Sequence, residues 1–121
     1  MTDINETVDT WLDAWTVPDE TVRGRMVRDV WAPDGMLVDP PMAASGYDEL
    51  TAVGAALQAQ FPGHTFRRTT AVEAHHDLIR YGWALVAPDG TTALAGLDVA
   101  VVTPDGKLQR VAGFFGELAA A

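Results

Sequence analysis

Two Pro-Asp-Gly triplets, at residues 88–90 and 104–106, divide the second half of the chain into extended segments and constrain its fold more than any other feature. Proline presets the first torsion of a tight turn, and glycine accepts the left-handed position that sends the strand back. The flanking segments, 78–87, 91–103 and 107–116, together with 65–75, are rich in Val, Thr, Leu and aromatic residues. They predict an antiparallel meander of three or four long strands. A third triplet, at 33–35, reads as the same turn chemistry and not as a repeat.

Such a meander needs an apolar cover, and the first sixty residues supply one. Ile4, Val8, Trp11, Leu12 and Trp15 recur at helical spacing, with Thr2 or Asp3 as cap and Glu6 in the first turn. Pro18 suits the first position of a second helix, whose stripe Val22, Met26, Val30 and Trp31 opposes Arg23, Arg25 and Asp29 before residues 32–35 stop it. A short strand at 36–39 then runs into Pro40-Pro41. Gly46 precedes a third helix that carries Leu50, Val53, Leu57 and Phe61 on one face and ends at Pro62-Gly63. Helices first and a curled sheet second define one α+β domain over residues 1–121, with the helices on one face of the sheet.

Bulk properties narrow the partners. A chain of 121 residues with 48% apolar composition fits a single core. Its net charge of −9 repels phosphate backbones, and its arginines form no patch beyond Arg67-Arg68 and the group Arg23, Arg25 and Arg28, so nucleic acid is not an expected partner. There is no cysteine for a disulfide or thiolate site, no basic and apolar leader, and no apolar run of bilayer-spanning length. The expectation is a cytoplasmic protein with no membrane role.

Within the segment 91–103 every face is apolar: Leu94, Ala100 and Val102 alternate with Ala95, Leu97, Val99 and Val101. One face meets the helices, and the other needs a second cover, most simply another copy of the chain. The exception in this strand is Asp98. A carboxylate there is desolvated, so it either holds its proton or meets a cation. Two readings stand side by side: a structural Asp bonded to Arg80 or a tryptophan N–H, and a functional acid beside Gly96, whose missing side chain leaves room for a ligand. Asp39, before the two prolines, adds a second acid in a different setting. One carboxyl that stays ionised and one that stays neutral allow base and hydrogen-bond donor to be divided between them.

The order of helices, the segment GMLVDPPMAASG, the meander and the closing LDVAVVTPDGKLQRVAGFFGE resemble the nuclear transport factor 2-like superfamily. Within it the chain resembles the ketosteroid isomerase and SnoaL-like polyketide cyclase branch, and the resemblance covers nearly the whole length. It implies a cone-shaped, curved antiparallel sheet wrapped around three N-terminal helices, a cystatin-like α+β barrel with a hydrophobic pocket. It implies proton abstraction, isomerisation or cyclisation on a small hydrophobic carbonyl compound without a cofactor, with Asp39 as catalytic base and Asp98 as the protonated acid holding an enolate oxygen. Phe115, Phe61 and Leu57 fall at pocket-lining positions by the same resemblance. The first-helix tyrosine of the isomerases is replaced by Trp11, a weaker donor, and Tyr47 and Tyr81 are the alternative hydroxyls. A non-catalytic small-molecule-binding or dimerisation module is the rival reading.

His75, His76 and Asp77 raise the question of a metal. Adjacent residues on a strand point to opposite faces, so the expectation is no metal, a hairpin corner with one histidine inward, and Asp77 holding the turn. Arg80 on the next strand is expected to reach Asp98 or the ligand. An arginine with flanking acids also resembles the limonene epoxide hydrolase branch, whose arginine and aspartate stand two apart on one strand; Gly82 occupies that second place here. Trp11, Trp15, Leu57, Phe61, Arg80, Trp83 and Phe115 therefore count as candidate substrate-binding residues beside the catalytic pair. The expected partners are a small hydrophobic ligand and a second copy joined through the sheet.

Overall fold

The structure, a computed structural model, describes residues 3–121; Thr2, one of the two expected caps, lies outside the described residues. Three helices, α1 (Ile4–Ala14), α2 (Glu20–Val30) and α3 (Gly46–Gln60), pack on one face of a seven-stranded curved sheet. The strands are β1 (Trp31–Asp39), β2 (Met42–Ser45), β3 (Thr65–Arg68), β4 (Glu73–His75), β5 (Leu78–Val86), β6 (Thr92–Val102) and β7 (Leu108–Phe115). Their order is β2-β1-β7-β6-β5-β3, with β4 paired to β5.

Side-chain caps fix the starts of the first two helices. Asp3 accepts from the Asn5 N–H at 2.8 Å and Asp19 from the Val22 N–H at 3.0 Å, each such cap contributing about 1 kcal/mol. The second helix therefore begins after Asp19, and Pro18 lies before the cap instead of at the first helical position. Arg23 is buried without a carboxylate partner. It donates to the carbonyls of Val17 and Thr51, and the missing side chain of Gly54 makes its room, since a Cβ there would stand 2.4 Å from Arg23 Nε.

The meander is present, with three departures from expectation. The segment 65–75 breaks into β3 and β4. The triplet at 33–35 is no turn: it lies inside β1, where the register against β7 shifts between Trp31 and Met36 and Gly35 makes space for the Trp31 ring. The other two triplets do turn the chain, with Gly90 at φ 89° and Gly106 at φ 83°. The third departure is in the sheet itself. It is mixed, because β1 pairs with β7 in parallel, and it is open, because β2 and β3 end it without meeting. The expected antiparallel barrel is thus a curved, unclosed α+β sheet.

Between helices and sheet lies a core built on Trp11, Trp31, Leu37, Leu50, Tyr81, Leu108 and Val111, all almost fully buried. Full burial of a Leu or Val side chain is worth roughly 1.5–3 kcal/mol. Register decides which side chains reach this face. Tyr81 stands opposite Asp98, Trp83 opposite Gly96, and Asp98 opposite Gly113, so these five share the inner surface. Leu97, Val99 and Phe114 take the outer one, where Phe114 is 60% exposed. Among the described residues no helix is long and apolar enough to cross a membrane.

Candidate active site

One end of the core does not close. A cavity of about 280 Å³ opens between α1, α3 and the inner face of the sheet, and its wall is apolar except for Asp39, Asp98 and Gln60. That volume equals roughly nine waters, enough for a compound of one or two rings.

Asp98 stands at the floor, 7% exposed. Tyr81 Oη donates to its Oδ2 at 2.8 Å and Trp83 Nε1 donates to its Oδ1 at 2.9 Å, so both oxygens are held. Burial pushes its pKa up to about 6 in spite of these two donors, and the charge of Asp39 adds to the rise. Tyr81, wholly enclosed beside that carboxylate, is raised well above its ordinary range, first by burial and then by the Asp98 charge, and stays a hydroxyl donor.

At the rim, β1 delivers Asp39 and Pro40-Pro41 turns the chain into β2. The Met42 N–H donates to Asp39 Oδ1 at 3.1 Å. Asp39 is half-buried; partial burial raises its pKa and the Met42 N–H opposes the rise. Gly113 on β7 lies between the two acids. A Cβ at that position would stand 3.0 Å from Asp98 Oδ1 and 3.2 Å from Asp39 Cβ, so only glycine leaves both acids facing the same open space. No lysine, arginine or histidine lines the cavity.

Of the residues singled out in the sequence, Asp39, Asp98, Trp15, Leu57, Phe61, Trp83 and Phe115 all meet at this cavity. Trp11 does not. It is packed edge-on against Trp31 and beside Trp15, outside the cavity wall, with its Nε1 buried and unpaired. Arg80 is also elsewhere: it lies on the outer face, its side chain 62% exposed and bonded to Glu73 Oε1 at 3.1 Å. Gly96 leaves no room for a ligand, because the Trp83 ring fills the space, 2.4 Å from where a Cβ would be. Both histidines of the pair are exposed, neither inward.

Phe66, Met42, Gln60 and Gly113 also line the wall and were not among the residues singled out in the sequence. Tyr81 was one of two hydroxyls left unplaced there; the other, Tyr47, reaches the Trp31 carbonyl at 3.4 Å. A signal for Gly113 was present in its position one strand across from Asp98, legible once the 104–106 turn fixes the last hairpin.

No protein-family model matches the chain, and no curated protein matches it. Solved structures do. A SnoaL-like family protein from Agrobacterium tumefaciens str. C58, described as a candidate isomerase, superposes with a TM-score of 0.88 at 31% identity, over 97% of this chain and 100% of the other. A candidate SnoaL-like polyketide cyclase from Jannaschia sp. CCS1 gives 0.70 at 17% identity, over 93% and 84%. A protein of ketosteroid isomerase-like fold from Catenulispora acidiphila, in complex with trimethylamine, gives 0.73 at 16% identity, over 92% and 85%. The latter two are alike in fold alone. Helices and curved sheet give the protein the fold of the nuclear transport factor 2-like superfamily. Within that superfamily, the chain belongs to the SnoaL-like family.

Proposed function

We propose that the cavity is an active site for proton transfer on a small apolar carbonyl compound, which it isomerises or cyclises. The observation that carries this reading is the pair Asp39 and Asp98: two carboxyls in one apolar cavity, separated only by Gly113, with the deeper one holding its proton up to about pH 6. Asp39, at the rim and less buried, takes the proton beside the carbonyl and returns it at another carbon. Asp98 donates to the oxygen on which negative charge develops. An apolar ligand strips the remaining water from Asp98 and raises its proton affinity further, so the acid is neutral when the carbonyl arrives. Tyr81 and Trp83 hold the carboxyl plane still throughout.

The test needs no knowledge of the natural substrate. Deuterium exchange beside the carbonyl of monocyclic and bicyclic ketones in heavy water, followed by NMR, is expected to exceed the buffer rate for at least one of them. Asp39→Asn should abolish the excess and retain binding of 2-naphthol as an enol mimic. Exchange equal in wild type and Asp39→Asn overturns the reading.

A second reading, a binding module without catalysis, is favoured by the charge of the wall. Two carboxylates and the rings of Trp15, Phe61, Phe66, Trp83 and Phe115, with no basic residue, suit a small ammonium ion through charge and cation–π attraction. The Catenulispora protein with trimethylamine supports the same chemistry. Tetramethylammonium binding that strengthens as pH rises through 6, with no ketone exchange, selects this reading.

The outer face is assigned to a second copy. Leu78, Val99, Met36 and Phe114, each 37–60% exposed, share that face with Leu97 and Val101, an apolar surface spanning four strands and interrupted by Arg80 and Arg110. Sedimentation at micromolar concentration should give a dimer, and Phe114→Glu a monomer; a wild-type monomer overturns the assignment.

A further inference from the structure

We propose that His75 and His76 form a two-histidine site for a divalent transition-metal ion, Cu²⁺ foremost, on the turn between β4 and β5. Two adjacent residues that both continue a strand point to opposite faces. Here only His75 continues the strand, paired with Leu78. His76 leaves the strand at φ 54°, the one non-glycine residue with positive φ among those described. That rotation swings its ring back, and the two Nδ1 atoms stand 3.1 Å apart with the ring planes at 90°.

Two imidazole nitrogens bound to one ion at about 2.0–2.1 Å stand roughly 3 Å apart when their angle at the metal is near a right angle. The observed spacing of 3.1 Å lies between those of neighbouring positions in a tetragonal and in a tetrahedral sphere, so it suits two ligands of one ion, and the affinity order of nitrogen donors puts Cu²⁺ first. Without metal the same contact is an N–H···N hydrogen bond, and metal binding shifts that proton to Nε2 of the same ring, so that two neutral imidazoles ligate through Nδ1 with no net proton release. Both rings are exposed, so water completes the sphere. Among the described residues no third His, Cys, Asp or Glu is placed to add a ligand, and the adjacent Arg80 is paired with Glu73. The positive φ that brings the two rings together is one that histidine, like Asn and Asp, adopts more readily than most side chains.

The test is titration of the purified protein with CuSO₄, NiCl₂ and ZnSO₄, read by calorimetry and, for Cu²⁺, by electron paramagnetic resonance. One ion per chain is expected, in the order Cu²⁺ above Ni²⁺ and Zn²⁺, with two nitrogen donors in the spectrum. His76→Asn keeps the turn, because Asn tolerates positive φ, and should weaken Cu²⁺ binding by about tenfold or more, as should His75→Gln; loss of outer-shell partners alone costs roughly 10–100-fold. His64→Gln, far from the turn, should change nothing. Unchanged Cu²⁺ affinity in His76→Asn with an unaltered circular dichroism melt, or loss of binding in His64→Gln, overturns the proposal.

Discussion

The floor and the rim of the cavity each carry one aspartate, and their surroundings differ in kind. Asp98 sits under a tyrosine and a tryptophan that occupy both of its oxygens, in a strand with no wet neighbour on the inner face. Asp39 has one backbone donor and a half-open position beside two prolines. Identical side chains a glycine apart therefore differ in their hold on a proton, and the difference comes from depth and not from a nearby cation. Depth is set by the fold: β6 lies in the interior of the sheet, whereas Asp39 ends β1 next to the edge strand β2.

The largest effect expected from this contrast is on stability. The folded-state pKa of Asp98, about 6, lies above the unfolded value of 3.8, so its contribution is fully present below the unfolded value and is lost as pH rises through 6. Relative to Asp98→Asn, wild type should gain on the order of 3 kcal/mol between pH 7.5 and pH 4, measured by urea unfolding at each pH. A constant difference breaks the contrast. Tyr81→Phe comes next. It removes the donor that holds Asp98 Oδ2, should cost roughly 1.5–3 kcal/mol at neutral pH, and should move the Asp98 titration further up, because that bond lowers the pKa.

Gly113→Ala sharpens the comparison at the point where floor meets rim. A methyl 3.0 Å from Asp98 Oδ1 forces small shifts in both acids, which should cost about 1 kcal/mol and weaken 2-naphthol binding in a calorimetric titration. At the small end, Arg80→Gln removes an exposed ion pair and should change stability by less than about 0.5 kcal/mol, with no shift of the Asp98 titration. A shift on that substitution would return Arg80 to the site.

Much of this was legible in the sequence, and the misses share a cause. Helical spacing, the two glycine-bearing turns and the burial of Asp98 on an apolar strand were readable because periodicity and turn chemistry act locally, whereas the pairing of Asp39 with Asp98 in one cavity was implied by the family resemblance. The partner of Asp98 was not, because it depends on register. Val86 pairs with Thr92, and continuing that pairing would set Arg80 opposite Asp98; a one-residue shift between Leu85 and Val86 sets Tyr81 there instead. Such a slip exchanges the two faces of a strand, and no residue at the bulge announces it. The 33–35 triplet is taken into β1 as an irregularity, between the pairs Trp31–Leu108 and Met36–Arg110 with β7, which only the tertiary pairing reveals. Trp11 failed as a donor for a different reason: helical spacing places it on the buried stripe correctly, but which buried residue reaches the cavity depends on where the packing leaves space. The parallel pairing of β1 with β7 brings Asp39 to Gly113 across more than seventy residues of chain, a contact that local patterns do not encode.

The central claim is that one cavity holds two aspartates of unequal proton affinity, the deeper one poised near neutrality. Carboxyl-carbon NMR of the two side chains, titrated with and without 2-naphthol, measures it directly. The account predicts that Asp98 titrates near 6 in the free protein and higher when the cavity is filled, with Asp39 titrating below it in both states. Asp98 titrating at or below the ordinary carboxylate value of 3.8, unmoved by the ligand, would contradict it.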